Sequence, residues 1–157
     1  MTPDRKTLLI PRIENGIVID HIPAGMGVAL LDIIRSDAGL SDVVTTLGLN
    51  YGSPTLGTKD MIKIWARELP TSVLAQISVV APGVTIKRVT DYEVDKRYVL
   101  WPPKAIEGLA RCRNPGCITN HEAGVVTRFG AIDADRKLFR CAYCERVFRI
   151  AELEISP

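Results

Sequence analysis

Four cysteines carry the clearest chemistry in this chain. They stand as Cys112-x4-Cys117 and Cys141-x2-Cys144, with 23 residues between the pairs. Two tight pairs on two turns can bring four soft sulfur ligands to the corners of a tetrahedron. The intervening residues agree: Arg113-Asn114-Pro115-Gly116 bends the first knuckle and Ala142-Tyr143 fills the second. The spacing predicts one structural Zn2+ held by Cys112, Cys117, Cys141 and Cys144. All four positions are then protein ligands, so no place remains for water or substrate, and the metal contributes folding free energy, not catalysis. Iron on the same sulfurs and a pair of disulfides are the other readings, the second a poor fit to an intracellular chain. His121, four residues after Cys117, reads as a surface histidine.

A second group of residues is cationic. Lys59 and Lys63 share one face of a predicted strand, with Ile62 and Ile64 on the other. Like charges so placed repel, and an anion above them relieves that repulsion. Lys87, Arg88, Lys96 and Arg97 lie on or just after the last strand of the same half and can converge near Asp20 and His21. Cations for phosphates and a carboxylate for ribose hydroxyls suit a nucleoside triphosphate. A solvated charged face is the plainer reading of the pattern. Asp20 and His21 are neighbours on a predicted strand and are expected to point to opposite faces, so they form no catalytic dyad. No P-loop, dinucleotide-binding or nucleophile-elbow motif occurs, and no nucleophile–base pair is legible.

These residues need elements to position them. Residues 17–22 are β-branched and follow the turn pair Asn15-Gly16; residues 24–36 place Met26, Leu30, Leu31 and Ile34 at helical spacing. Strands are predicted over 43–50, 60–66 and 84–94, and a second helix over 72–81 with Val73, Leu74, Ile77 and Val80 on one side. The order β-α-β-β-α-β is the split-βαβ, ferredoxin-like arrangement, with both helices on one face of an antiparallel sheet. Trp101-Pro102-Pro103 interrupts any element, so a linker is placed at about 96–104. The fold class is α+β: a ferredoxin-like domain over 1–99 and a small, mainly β, zinc-ribbon-like domain over 100–157. The second is too short for much of a core and needs the metal as a staple.

Composition narrows the classes. The chain has 157 residues, 46% apolar and 24% charged, as in an ordinary globular protein. The formal charge of +2 falls to zero once four thiolates hold one Zn2+. Residues 1–100 carry 11 basic and 11 acidic side chains, and residues 101–157 carry 9 and 7, so this is no strongly basic nucleic-acid binder. A zinc-ribbon nucleic-acid protein stays as the alternative, on Arg111, Arg113, Arg128, Arg136, Lys137, Arg140, Arg146 and Arg149. No apolar run reaches the roughly 20 residues of a membrane helix. Arg5 and Lys6 precede an apolar stretch that is cut at Pro11, too short for a secretion signal, so the cytoplasm is the expected location.

Taken together, the motifs resemble the aspartate carbamoyltransferase regulatory chain family over essentially the whole length. The likeness is densest at 16–24 (GIVIDHIPA), 57–64 (GTKDMIKI), 81–94 (APGVTIKRVTDYEV), 112–122 (CRNPGCITNHE) and 141–145 (CAYCE). The resemblance implies a non-catalytic subunit of a pyrimidine-biosynthesis enzyme whose first domain binds CTP, UTP or ATP and whose zinc domain docks on the catalytic chain. It implies regulatory homodimers, three of which bridge two catalytic trimers into a dodecamer, and no nucleic-acid or membrane partner. By the same resemblance Asp20, His21, Lys59, Lys63, Lys87 and Arg97 would meet ribose and phosphates, and Ile13, Val89, Tyr92 and Val94 would line the base pocket. Lys87 stands where a neutral Asn is expected, and Pro11-Arg12 where a Glu-Ala-like pair is expected.

Overall fold

The computed structural model describes residues 10–156; Arg5 and Lys6 lie outside the described residues. The described residues divide into two compact units, one from the start of the described residues to 74 together with 83–100, the other 75–82 together with the described residues from 101 onward.

The first unit is built on a five-stranded antiparallel sheet of β1 (Gly16–Pro23), β2 (Thr45–Ser53), β3 (Gly57–Ile64), β4 (Thr85–Thr90) and β5 (Glu93–Val99), in the order β2-β3-β1-β4-β5. The central β1 is buried on both faces through most of its length, which its run of β-branched residues suits. Helix α1 (Gly27–Ser36) turns Leu30 and Ile34 inward at an i, i+4 spacing, and both are fully buried. On β3 the alternation is strict: Asp60, Ile62 and Ile64 are buried, while Lys59, Met61 and Lys63 between them are half-buried.

Three expectations require correction. The strand predicted over 84–94 is two strands joined by Asp91 and Tyr92, whose φ values of 50° and 67° make a tight two-residue turn. Neither residue is the glycine such a turn usually shows. Two residues distant in sequence hold it instead: Tyr92 N–H donates to the Glu14 carbonyl (3.0 Å) and Asp91 N–H to the Asn15 side-chain Oδ1 (3.2 Å). The predicted linker is therefore shorter, since Lys96–Val99 belongs to β5 and only residues 100–104 lack a regular element. Asp20 and His21 do not alternate as strand neighbours, because β1 bulges between Ile19 and Ile22 and His21 takes φ 58°.

The second unit holds a four-stranded antiparallel sheet of β6 (Ala105–Glu107), β8 (Arg128–Ala131), β9 (Leu138–Cys141) and β10 (Val147–Arg149), in the order β10-β9-β8-β6, and a two-stranded pair of β7 (Ala110–Arg111) with β11 (Glu154–Ile155). Its core gathers Ile106, Ala110, Phe129, Phe139, Ile150 and Leu153 around three of the cysteines. Val79, near the end of α2 (Thr71–Val80), joins the same cluster. Along α2 the buried residues are Val73, Ile77, Ser78 and Val79, whereas Leu74 and Val80 of the predicted stripe are only partly buried.

Candidate functional site

The cysteines meet as their spacing requires. Their four Sγ atoms lie within 4.8 Å of one another. Cys112 and Cys144 are 3.7 Å apart, and Cys117 and Cys141 are 3.8 Å apart. A tetrahedron with metal–sulfur bonds of roughly 2.3 Å has edges of about 3.8 Å, so the donor set fits a tetrahedrally coordinated soft or borderline metal. Burial pushes the Cys112 thiol up to about 12 and raises Cys141 too. At Cys144 burial acts the same way, but the Arg146 backbone N–H and neighbouring side chains outweigh it and hold the thiol at about 7. A coordinated dication is what ionises such thiols outright.

Local hydrogen bonds shape each knuckle. In the first, Cys117 N–H donates to the Asn114 carbonyl (3.0 Å), and Asn120 Nδ2 donates to the carbonyls of Cys112 (2.9 Å) and Asn114 (2.8 Å). Thr119 Oγ1 donates to Cys117 Sγ at 3.2 Å. Asn120 escaped the sequence reading, although an amide three residues past a ligand cysteine is a cue for such a brace. In the second knuckle Cys141 and Glu145 close the turn, Glu145 N–H donating to the Cys141 carbonyl at 2.9 Å with Glu145 at φ 62°. His121 is exposed, and its Nε2 lies 2.6 Å from the Pro115 carbonyl. It takes no place among the ligands.

The cationic residues converge on Asp20. That carboxylate is 4% exposed, and each oxygen meets one ammonium: Lys59 Nζ at 2.7 Å from Oδ1 and Lys87 Nζ at 2.8 Å from Oδ2. His21 N–H donates to Oδ1 at 2.7 Å. Burial alone would raise the Asp20 carboxyl, but the two lysines and the His21 amide win and hold it far below the usual carboxylate range. The His21 ring sits beside the pair, its Nδ1 3.8 Å from Asp20 Oδ2 and without a hydrogen-bond partner among the described residues.

Sheet register explains the convergence. Val18 on β1 lies between Lys63 on β3 and Lys87 on β4, and Lys87 faces Arg97 on β5, so these side chains share the Asp20 face. Arg88 and Lys96 pair on the opposite face, where Arg88 meets Asp95 at 2.9 Å; two of the four late cations therefore miss the cluster. Lys63 is half-buried and donates to the Pro11 carbonyl at 2.6 Å, its pKa lowered by burial and by Arg12 nearby, against a pull upward from Asp20. Lys59 and Lys63 are thus not bare repelling charges, since one is met by Asp20 and the other by backbone.

Beside the cations lies an apolar floor. Ile13, Val18 and Val89 form a buried cluster with Met61 packed against it. Tyr92 in the hairpin turn and Val94, opposite Val89, are exposed at its edge. Arg12 stacks over the Tyr92 ring at 5.6 Å and donates to the Tyr92 carbonyl at 3.1 Å. The strap of residues 11–15 is so tied to the sheet at Lys63 and at the hairpin tip. Val18 and Met61 were not among the predicted site residues. Neither was Asp60, which is fully buried and accepts from the backbone N–H groups of Gly25, Gly27 and Asn50, each at 3.0 Å. It anchors the segment after the β1 bulge, the start of α1 and the β2 bulge.

Fold and site thus define a two-part protein, a sheet unit with a cationic face and a unit organised by four metal-binding thiols. Residues 8–100 match the aspartate carbamoyltransferase regulatory chain, allosteric domain, and residues 104–154 match the metal binding domain of the same chain. Proteins described as aspartate carbamoyltransferase regulatory chain are similar throughout. That of Pyrococcus abyssi is 38% identical over 93% of this chain and 95% of its own length. That of Methanothermobacter thermautotrophicus is 41% identical over 94% and 93%, and that of Pyrobaculum arsenaticum 40% over 94% and 98%. The chain belongs to the aspartate carbamoyltransferase regulatory chain family, which is regulatory and not catalytic. The nucleic-acid reading is not favoured, and some of its arginines are engaged otherwise: Arg128 with Glu107, Arg113 with Glu154 and Arg111 with Asn120. Among the described residues no helix is long and apolar enough to cross a membrane.

Proposed function

We propose that this chain is the effector-binding subunit of an aspartate carbamoyltransferase. Residues 1–99 form a domain of ferredoxin-like, split-βαβ plan that binds CTP, UTP or ATP, and residues 100–157 a zinc-ribbon-like domain that docks on the catalytic chain. The strand order β2-β3-β1-β4 supports that plan, with β5 as an added edge. The observation that carries the nucleotide reading is the buried Asp20 with Lys59 and Lys87 on its two oxygens, beside an apolar floor. Phosphates go to Lys59, Lys63, Lys87 and Arg97, ribose to Asp20 and His21, and the base to Ile13, Val89, Tyr92 and Val94. Each lysine ammonium has three N–H donors, so one given to Asp20 or Pro11 leaves two for phosphate.

The metal is Zn2+, consistent with sulfur separations of 3.7 and 3.8 Å. Bound zinc supplies folding free energy and ionises the thiols. Cys112, Cys117, Cys141 and Cys144 hold it, and Asn120 braces the turn that carries the first pair. Regulatory homodimers link two catalytic trimers in a cytoplasmic dodecamer. A nucleotide shifts that assembly by its differential affinity for two quaternary states, typically about 1–3 kcal/mol of coupling.

Calorimetry of the full-length, metal-loaded chain with each triphosphate tests the site. Replacing Lys63 with Ala weakens binding by about 1–3 kcal/mol, the worth of a charge-assisted hydrogen bond. Unchanged affinity refutes the placement. Co-purification with the catalytic chain, lost on chelation, tests the docking role; an assembly that survives in metal-free buffer refutes it.

A further inference from the structure

We propose that the first unit carries a separate ligand site, a cleft on the face of the sheet away from Asp20 that takes a small monocarboxylate with an aromatic or branched apolar body. None of its charged side chains belongs to the cluster around Asp20, and it does not rest on the nucleotide reading.

Alternation along three strands makes the cleft. Val18, Lys87 and Arg97 share the Asp20 side, so Ile17, Ile86, Arg88, Lys96 and Tyr98 share the other. There Ile17, Leu69 and Ile86, all buried, floor a hollow of about 180 Å3, with Leu74 of α2 and Tyr98 as further lining. At about 30 Å3 per water it holds about six waters, or one small ring with a substituent. Arg67, Glu68 and Arg88 also line an adjoining cleft of about 540 Å3 that reaches Asn15 and Thr90. An apolar floor with a few polar groups at the rim is how small-molecule sites are usually built.

Charge sets the ligand class. Arg88 is taken: its Nε meets Asp95 at 2.9 Å, and Glu68 adds to the attraction. Among the described residues Arg67 and Lys96 have no carboxylate partner. Lys96 Nζ lies instead over the Tyr98 ring, 5.5 Å from its centroid, which leaves its N–H donors unspent. Arg67, Arg88 and Lys96 against Glu68 and Asp95 leave a net charge of +1, which one carboxylate neutralises. A phosphate dianion overshoots that charge, and an uncharged ring leaves Arg67 without a counterion. The Arg67 guanidinium is a planar fork suited to both oxygens of a carboxylate, and Lys96 is a point charge beside the aromatic lining.

The test is a methyl 1H–13C NMR titration of the full-length, metal-loaded chain with sodium benzoate, and separately with acetate, benzyl alcohol and inorganic phosphate. Benzoate is expected to shift the Ile17, Leu69, Leu74 and Ile86 methyls saturably, with a Kd of about 1 mM or lower, within reach of a ligand of about nine heavy atoms. Acetate lacks the apolar body, benzyl alcohol the charge and phosphate the ring, so each should bind at least about tenfold more weakly. Arg67 and Lys96 are exposed, so Arg67→Gln and Lys96→Gln leave folding intact, and each should weaken benzoate about tenfold, the loss of one charge-assisted hydrogen bond. No saturable shift at these methyls, shifts centred on Ile13 and Val18 of the other face, benzyl alcohol or phosphate binding as tightly, or unchanged affinity in both variants overturns the proposal. The nucleotide reading stands in each case.

Discussion

Replacing Asp60 removes the single acceptor that holds three backbone segments. The Gly27 N–H it accepts is buried, while those of Gly25 and Asn50 are partly so. Leaving one buried N–H unpaired costs about 1–3 kcal/mol, and two more that water reaches in part add about 1 kcal/mol each. Asp60→Ala should therefore destabilise the first unit by about 3–5 kcal/mol. Asp60→Asn is the sharper variant, because it keeps the shape. Its amide can retain one acceptor oxygen, but its NH2 then faces backbone N–H groups, donor against donor. Since both Asp60 oxygens accept in the native protein, the isostere should still cost about 2–4 kcal/mol. Trp65 lies in this unit and Trp101 in the other. Urea unfolding followed by Trp65 fluorescence in a Trp101→Phe background reads the right transition. A loss below about 0.5 kcal/mol for Asp60→Asn, within the range of ordinary surface substitutions, would refute the three-segment anchor.

Other consequences follow from the same geometry. Asp20→Asn strands two half-buried ammonium groups and should cost about 2–4 kcal/mol at neutral pH, somewhat under the penalty for a fully buried pair. Because the folded Asp20 pKa is depressed, its contribution is present above the unfolded value near 3.9 and is lost as pH falls below it. Urea midpoints of the first unit should drop from about pH 5 downward in the native chain and respond less in the variant; parallel curves would contradict the ion-pair account. Phe129 is fully buried and packs edge-on to Phe148, with ring centroids 6.4 Å apart. Phe129→Ala should cost about 3–5 kcal/mol in the second unit while the Trp65 transition stays in place. Chelation of the metal should unfold the sheet around Cys141 and accelerate amide exchange at Phe139, with recovery on adding Zn2+; protection that persists in chelator would show that the thiol cluster stands without an ion.

The metal centre was legible from residue types and spacing alone, because its ligands come in two pairs whose members sit within one turn of each other. Local backbone chemistry sets each knuckle, as Asn114-Pro115-Gly116 shows. The inward faces of α1 and β3 were legible for the same reason: periods of 3.6 and 2 are properties of a segment by itself. What the tertiary structure decided depends on partners far away in the chain. Asp20 meets Lys59 and Lys87 across 39 and 67 residues, and only strand order and register bring them together. Asp91 and Tyr92 turn a predicted single strand into a hairpin because residues 14 and 15 bond to that tip. A bulge placed Asp20 and His21 together where alternation would have parted them, and burial beneath two bulges made Asp60 an anchor. Local sequence specifies what a segment can form; which side chains then face each other is settled by long-range pairing, whose geometry no single segment contains.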